Sequence, residues 1–230
     1  MNYKPYPTHK PSNIQWLGDI PSHWEVKKMR YILLDGSKGI RSGPFGSSLN
    51  AQFIKSSGYK VYGQENVIKE NFSMGNRFID DVKFKELKVN QIFPGDLIVT
   101  MMGTVGKAQI VPDNIQEGIM DSHLIRLRTK QKIVYSAFLE YLINKSYYIK
   151  VNIKTLSKGS IMEGLNSSII KSLFIALPPL HEQHTIVAHI EKEMERIDYI
   201  IQQTEKEMEL MKEYKQALIS EAVTGKIRVE

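Results

Sequence analysis

The stretch LPPLHEQHTIVAHIEKEMERIDYIIQQTEKEMELMKEYKQALIS, Leu177–Ser220, decides the architecture of this 230-residue chain. Pro178 and Pro179 cannot sit inside a helix, yet proline is well placed at a helix's first turn. No glycine or proline follows until Gly225, a candidate C-cap. Alternating steps of three and four pick out Val187, Ile190, Met194, Ile197, Ile201, Thr204, Met208, Met211, Lys215 and Leu218, eight of them apolar. Glu, Lys and Gln fill most positions between them. A seam of period 3.5 sustained over four heptads is the mark of a coiled coil. At 1.5 Å per residue, some 40 residues make a rod roughly 60 Å long. A long helix packed on its own domain is the alternative. The narrow stripe, rich in methionine and flanked by charge, favours a partner helix. Met, Thr204 and Lys215 make that seam adaptable rather than strongly self-specifying.

Residues 1–179 read as one mixed domain ahead of the helical region 180–230. His23–Leu34 has the spacing of a short amphipathic helix, and Gly36–Ser48 (GSKGIRSGPFGSS) reads as a Gly/Ser loop. Strands are expected at Tyr59–Tyr62, Asn66–Ile68, Arg77–Ile79, Asp96–Met101, Lys107–Val111 and Ser122–Arg128. Pro94-Gly95 and Pro112-Asp113-Asn114 supply turns between them. Lys132–Ile153 carries apolar residues at helical spacing. The loop Ser157–Gly164 leads to a short, polar-capped helix over Asn166–Leu173 and a buried strand, Phe174–Leu177. The expected class is α+β: a strand-rich domain, then one long helix.

Charge divides at the same place. Met1–Pro179 holds 24 Lys/Arg against 14 Asp/Glu, a net +10; Leu180–Ser220 holds 5 against 9, a net −4. A basic globular part points to a polyanion such as nucleic acid, or to a lysine-rich solvated surface. The composition, 42% hydrophobic and 24% charged, excludes a disordered chain. The lack of cysteine excludes disulfides, Cys-ligated metals and thiol nucleophiles, and fits a cytoplasmic location. The opening residues have early lysines but no apolar run behind them, so no secretory signal is expected. No apolar stretch approaches the roughly 20 residues of a membrane span.

Catalytic patterns fail one by one. Met101–Lys107 (MMGTVGK) lacks the Gly and the Ser/Thr of a phosphate-binding loop, and reads as a turn between strands. His181-Glu182-Gln183-His184 places its second histidine one residue short of zincin spacing. Pro112-Asp113 with Glu117 lacks the Glu-x-Lys of a nuclease, since Ile119 stands where the lysine belongs. Asp121-Ser122-His123 would alternate faces on a strand. No metal site and no active site are expected in the chain.

The junction LPPLHEQHTIVAHI (Leu177–Ile190) resembles the PPL-x-EQ-x-x-I junction of type I restriction–modification specificity (S) subunits, with Pro178, Pro179, Leu180, Glu182, Gln183 and Ile186 filling the pattern. The helix ending YKQALISEAVTGKIRV (Tyr214–Val229), the opening NIQWLGDIPSHWEVKKM (Asn13–Met29), FPGDLIVTMMGTVGKAQIV (Phe93–Val111) and KGSIMEGLNSSIIKSLFIALPP (Lys158–Pro179) also resemble that family. The resemblance implies a target-recognition domain over 1–179 and a spacer and dimerisation helix over 180–230. It implies sequence-specific binding of double-stranded DNA without intrinsic catalysis. Complete S subunits carry two recognition domains and two helical regions. One of each here implies a half-length subunit that dimerises with itself or with another half subunit; a fragment of a longer product is the alternative.

The implied partners are methyltransferase (modification) subunits and motor–nuclease (restriction) subunits. S-adenosylmethionine is expected on the methyltransferase and no cofactor on this chain. Candidate DNA contacts are the polar loop residues Lys38, Arg41, Ser47, Ser48, Gln64, Asn66, Lys107, Lys158 and Ser160. Arg and Lys suit guanine edges, Gln and Asn adenine. Gly43, Gly46 and Gly159 allow close backbone approach. The acidic helix repels phosphate and is expected to pair antiparallel with a second copy as an isologous coiled coil. Two rival classes stay open: a coiled-coil adaptor whose basic domain binds protein, and a DNA-processing enzyme with an unrecognised site.

Overall fold

The computed structural model describes residues 4–14, 17–45, 47–157 and 164–228. Two short strands, β1 (His9–Pro11) and β2 (Asp19–Pro21), pair antiparallel. Next come β3 (Glu25–Lys28) and one helical turn, α1 (Met29–Ile32). The helix expected over His23–Leu34 is therefore a strand followed by a single helical turn. Its backbone is claimed by the last strand of the domain, with Val26 opposite Ala176, and the Met29 N–H donates to Leu173 O at 2.7 Å. Tertiary pairing here overrides a local 3.6-residue pattern.

The expected Gly/Ser loop likewise contains structure, namely α2 (Gly36–Gly39) and β4 (Ile40–Ser42). β5 (Tyr59–Tyr62) is a strand as expected, but Asn66–Ile68 belongs to a helix, α3 (Gln64–Ile68). The Gly63 N–H donates to Asn66 Oδ1 at 2.9 Å, a side-chain cap that starts the helix where β-propensity suggested a strand. After β6 (Phe78–Ile79) comes α4 (Asp81–Leu87), capped by Asp80 through the Lys83 N–H.

β7 (Leu97–Thr100), β8 (Ala108–Ile110), β9 (Gly118–Met120) and β10 (Leu124–Leu127) follow. The helical stretch expected over 132–153 is two helices, α5 (Ser136–Lys145) and α6 (Tyr147–Ser157), broken where Ser146 turns extended. α7 (Ser167–Ser172), capped by Asn166, and β11 (Phe174–Leu177) close the domain. The long helix α8 spans Leu180–Val223.

One antiparallel sheet has the order β4-β10-β7-β8; a second, β6-β5-β9, pairs β5 and β9 in parallel. Val61 and Ile119, partners in that parallel pair, face one apolar cluster with Ile79, Phe84 and Leu87. Their neighbours Tyr62 and Met120 face the other, with Val67, Phe72, Ile98, Val111 and Leu124. Burial on both faces explains why β9 shows no polar–apolar alternation. Among the described residues no helix is long and apolar enough to cross a membrane.

The chain divides into two compact units, Met1–His184 and Thr185–Glu230. The division falls five residues after the boundary expected at 179/180, because the first turns of α8 are bonded into the domain. Gln183 is fully buried. Its Nε2 donates to Ile133 O and Pro178 O at 3.0 and 2.9 Å, and its Oε1 accepts from the Tyr135 N–H at 2.8 Å. His184 stacks on Tyr135 with ring centroids 4.0 Å apart. Glu182 accepts from the Tyr6 hydroxyl, from His23 Nε2 at 2.8 Å and from Trp24 Nε1 at 3.1 Å. The Glu-Gln pair of the junction is thus a two-pronged anchor, and among the described residues no cluster suited to a metal occurs.

Burial alone would raise the Glu182 carboxyl, but its bonds from Tyr6, His23 and Trp24 outweigh that and hold it below 4.5. A carboxylate depressed in the folded state stabilises above its unfolded pKa, and that contribution fades as pH falls through the folded value. Glu182→Gln is therefore expected to lower stability at pH 7. The gap to the parent protein should narrow as pH falls below the ordinary Glu value of about 4.3 and close below the depressed folded value, as read in denaturant titrations. A gap that stays constant with pH would mean the ionised form contributes nothing.

In the second unit the seam is open. Val187 is buried and Ile190 half-buried, but Met194, Ile197, Ile201, Thr204, Met208, Met211, Lys215 and Leu218 are all exposed. The helix ends in a Schellman motif: Gly225 adopts φ 70°, its N–H reaches Ala222 O, and the Lys226 N–H reaches Glu221 O.

Candidate nucleic-acid interface

The order and directions of the strands collect several loops at one end of the four-stranded sheet. There β4 leaves toward Gly43–Ser48, β7 and β8 are joined by Met101–Lys107, and β10 is entered from Asp121–His123. The loops are stitched together by main chain. The Gly43 N–H donates to Leu124 O at 2.8 Å, Met101 N–H to His123 O at 2.8 Å, and Leu165 N–H to Met101 O at 2.8 Å. At Gly43 a Cβ would stand 1.7 Å from Asp121 O, so only glycine permits this approach. Ser42 Oγ lies 3.0 Å from Ser167 Oγ, tying the same end to α7.

The C-terminal ends of β5 and β9 meet beside these loops, where the Asp121 N–H donates to Tyr62 O. Arg77 bridges them, its guanidinium 2.9 Å from Glu65 and 3.0 Å from Asp121. Burial works against that charge, but Asp121 and Glu65 outweigh it and hold Arg77 protonated. Asp121 also accepts from the His123 N–H at 3.0 Å. Asp121-Ser122-His123 is therefore a braced turn.

Of the candidates drawn from sequence, Ser47, Ser48 and Lys107 lie on the loops at this end. Gln64 starts α3 nearby, half-buried. Lys38 is on α2, at the opposite end of β4, and Arg41 is on the strand itself, opposite Arg126. Both were expected in one loop; the chain instead forms α2 and β4 there. Asn66 is 1% exposed, with its amide committed to Gly63 N, Asn71 O and Met74 O, so it holds a turn rather than offering an edge to a ligand. Lys158, Ser160, Gly46 and Gly159 lie outside the described residues.

Other residues at this end escaped the sequence reading. Phe45 is 86% exposed at the tip of a turn closed by the Ser48 N–H to Phe45 O bond, directly after the buried Pro44. Met102 and Val105 are exposed on the neighbouring loop. A large apolar residue inside a Gly/Ser/Pro loop was the available signal for Phe45, since a flexible linker has no use for it. Behind the loops, Arg126 is buried in the sheet and donates to Val89 O and Gln91 O. Burial, with Arg128 and Arg41 adding to it, brings its pKa down to about 10. Arg128 is held differently, by a two-pronged ion pair with Asp96 at 2.6 and 3.0 Å.

The sequence and the fold are both similar to those of known proteins. The family profile described as the type I restriction modification DNA specificity domain matches residues 45–210, which takes in most of the domain, the junction and much of the helix. The chain belongs to that family. Among curated specificity subunits, the putative MjaX subunit of Methanocaldococcus jannaschii is 26% identical over 223 residues, covering 96% of this chain and 48% of the relative. The MjaVIII specificity subunit of the same organism is 25% identical, covering 96% and 50%. This specificity chain thus spans about half the length of those relatives.

The fold agrees as well. The HsdS subunit of Thermoanaerobacter tengcongensis superposes with a TM-score of 0.57 at 17% identity, over 79% of this chain and 40% of that one. A chain from a structure of type I R-M complex assembly and conformational transition gives 0.63 at 18% identity, over 90% and 47%. The α+β specificity-domain fold, with its long C-terminal helix, is common to them.

Proposed function

We propose that this chain is a non-catalytic DNA-recognition subunit of a type I restriction–modification complex, reading one half-site of a bipartite target. The observation that carries this is the convergence of Gly43–Ser48, Met101–Lys107 and Asp121–His123 at one end of a domain with net charge +10. Lysines supply sequence-independent attraction to phosphate, while the loop side chains select bases. The complex works on DNA in the cytoplasm. Methyltransferase subunits bring S-adenosylmethionine and the chemistry, and restriction subunits join the same assembly.

The helix supplies the second half-site. Two copies pair antiparallel along the exposed seam, a self-complementary two-fold interface whose acidic flanks keep it away from phosphate. At about 1.5 Å per residue the 44 residues of α8 span about 66 Å, which at about 3.4 Å per base pair caps half-site separation near 19 base pairs.

Binding by the chain assembled with its methyltransferase subunit should weaken steeply with salt, as phosphate contacts release counterions. Phe45→Ala is expected to weaken binding to the preferred duplex about tenfold, the order of one good base contact. The slope of log affinity on log salt should stay as in the parent. An unchanged affinity would remove Phe45 from the interface, and salt-independent DNA affinity of the parent would favour a protein-binding adaptor.

A further inference from the structure

The turn Met101–Lys107 rests against α6: a Cβ on Gly106 would lie 3.2 Å from Ile153 Cδ1. Between them runs a cleft of about 760 Å³, lined by the turn and by Lys150, Ile153 and Lys154 of α6, with no carboxylate among the described residues that line it. Asn144 forms part of the wall, but its amide is spent on both polar atoms of Ala108, at 2.8 Å each, which holds α5 against β8. Lys107 reaches Glu70 at 2.6 Å at the rim. Lys150 and Lys154 stand one turn apart, exposed, on a helix whose sequence YYIKVNIKTLS contains no acid. Among the described residues neither has an ion-pair partner.

Like charges four residues apart work against a helix, and of the two only Lys154, in the last turn of α6, gains from the helix dipole. A bound anion would relieve the repulsion between them. Lysines are compact charges on flexible stems and suit phosphate oxygens, whereas planar, two-pronged recognition of a base edge is arginine's chemistry. The open cleft with its apolar floor takes a stretch of chain rather than a small enclosed anion.

We infer that Lys150 and Lys154, with Lys107, form the seat for the DNA phosphate backbone beside the reading loops. The inference rests on the DNA-recognition role proposed above and deepens it. The cleft shares the Met101–Lys107 loop with the reading end, so a phosphate run held there fixes the register in which the loops meet the bases. Lys150 and Lys154 are positioning residues with no part in choosing the sequence.

The test uses the chain assembled with its methyltransferase subunit, and two duplexes: one of mixed sequence, and one enriched from a random pool by the parent protein. Affinities are measured between about 50 and 200 mM salt. Lys150→Glu with Lys154→Glu should weaken binding to both duplexes at least about tenfold and cut the salt slope by about 2, the enriched sequence staying the same. Lys150→Gln with Lys154→Gln, which adds no negative charge, should cut the slope equally and guards against a folding defect in the first variant. A parental slope and affinity in the glutamine variant would overturn the phosphate seat while leaving DNA recognition standing. So would a loss confined to the enriched duplex. A parent protein with no salt-dependent affinity would overturn both.

Discussion

Replacing Ile197, Ile201 and Met208 together with aspartate is expected to convert a particle of twice 26.4 kDa into one of 26.4 kDa. These three side chains are 43%, 49% and 54% exposed on the isolated helix. Covering the remaining half of such a side chain is worth about 1 kcal/mol, and the two-fold axis counts each residue twice, so the trio contributes roughly 6 kcal/mol. That is about four orders of magnitude in the dimer constant. Aspartate forfeits the gain and also places unpaired carboxylates in an apolar seam already flanked by glutamates. The helix itself should persist, since each site lies on the exposed face of a segment rich in good helix formers. Light scattering on the variant reads the outcome, with circular dichroism confirming the helix. Twice the chain mass in the variant would mean that the dimer interface lies elsewhere.

Gln183→Leu should have the largest effect on the recognition domain's stability. The side chain is fully buried, and its amide satisfies two carbonyls and one N–H from two separate places in the chain, Ile133–Tyr135 and Pro178. Leucine fills similar volume but leaves Ile133 O, Pro178 O and the Tyr135 N–H without these bonds. At about 1–3 kcal/mol for each of the three buried unsatisfied groups, the expected loss is roughly 3–9 kcal/mol. That is a large fraction of the 5–15 kcal/mol of a typical domain. Gln183→Glu should fare no better, because a carboxylate would face both carbonyls. Urea unfolding gives the comparison, and a stability loss below about 1 kcal/mol would show that the surroundings relax to make new bonds.

How much of this was legible beforehand follows from where local signals decide structure. The long helix could be read because Pro178-Pro179, an uninterrupted run of helix formers and Gly225 all agree with the heptad seam. The strands Tyr59–Tyr62, Asp96–Met101 and Lys107–Val111 were recoverable from turn chemistry at Pro94-Gly95 and Pro112-Asp113-Asn114. Glu25–Lys28 was not, because its partner Phe174–Leu177 lies some 150 residues away and no local pattern encodes that pairing. β9 escaped because burial on both faces erases alternation. Asn66 was misplaced for a related reason: a polar residue in a presumed loop looks like a DNA contact until its cap and turn bonds show it to be internal.

The recognition end was legible only in part. Ser47, Ser48 and Lys107 sit on loops that converge there, whereas Lys38 lies on α2 and Arg41 on β4, elements that the Gly/Ser composition concealed. Lys150 and Lys154 were not legible, because apolar spacing marks only the packed face of a helix and the expected stretch ended at Ile153, one residue before Lys154. The junction shows the opposite case. Glu182 and Gln183 drew notice through a failed metal motif and a family pattern, and their physical role is to bond the head of the helix to the domain.

The most direct test of bipartite recognition is selection from a random DNA pool by the purified chain assembled with its methyltransferase subunit, followed by sequencing. Enrichment of two inverted half-sites at one fixed spacing of no more than about 19 base pairs is the expected result. Enrichment of one short site with no spaced partner would contradict the paired-helix dimer. No enrichment by a complex shown to be assembled would contradict DNA recognition itself.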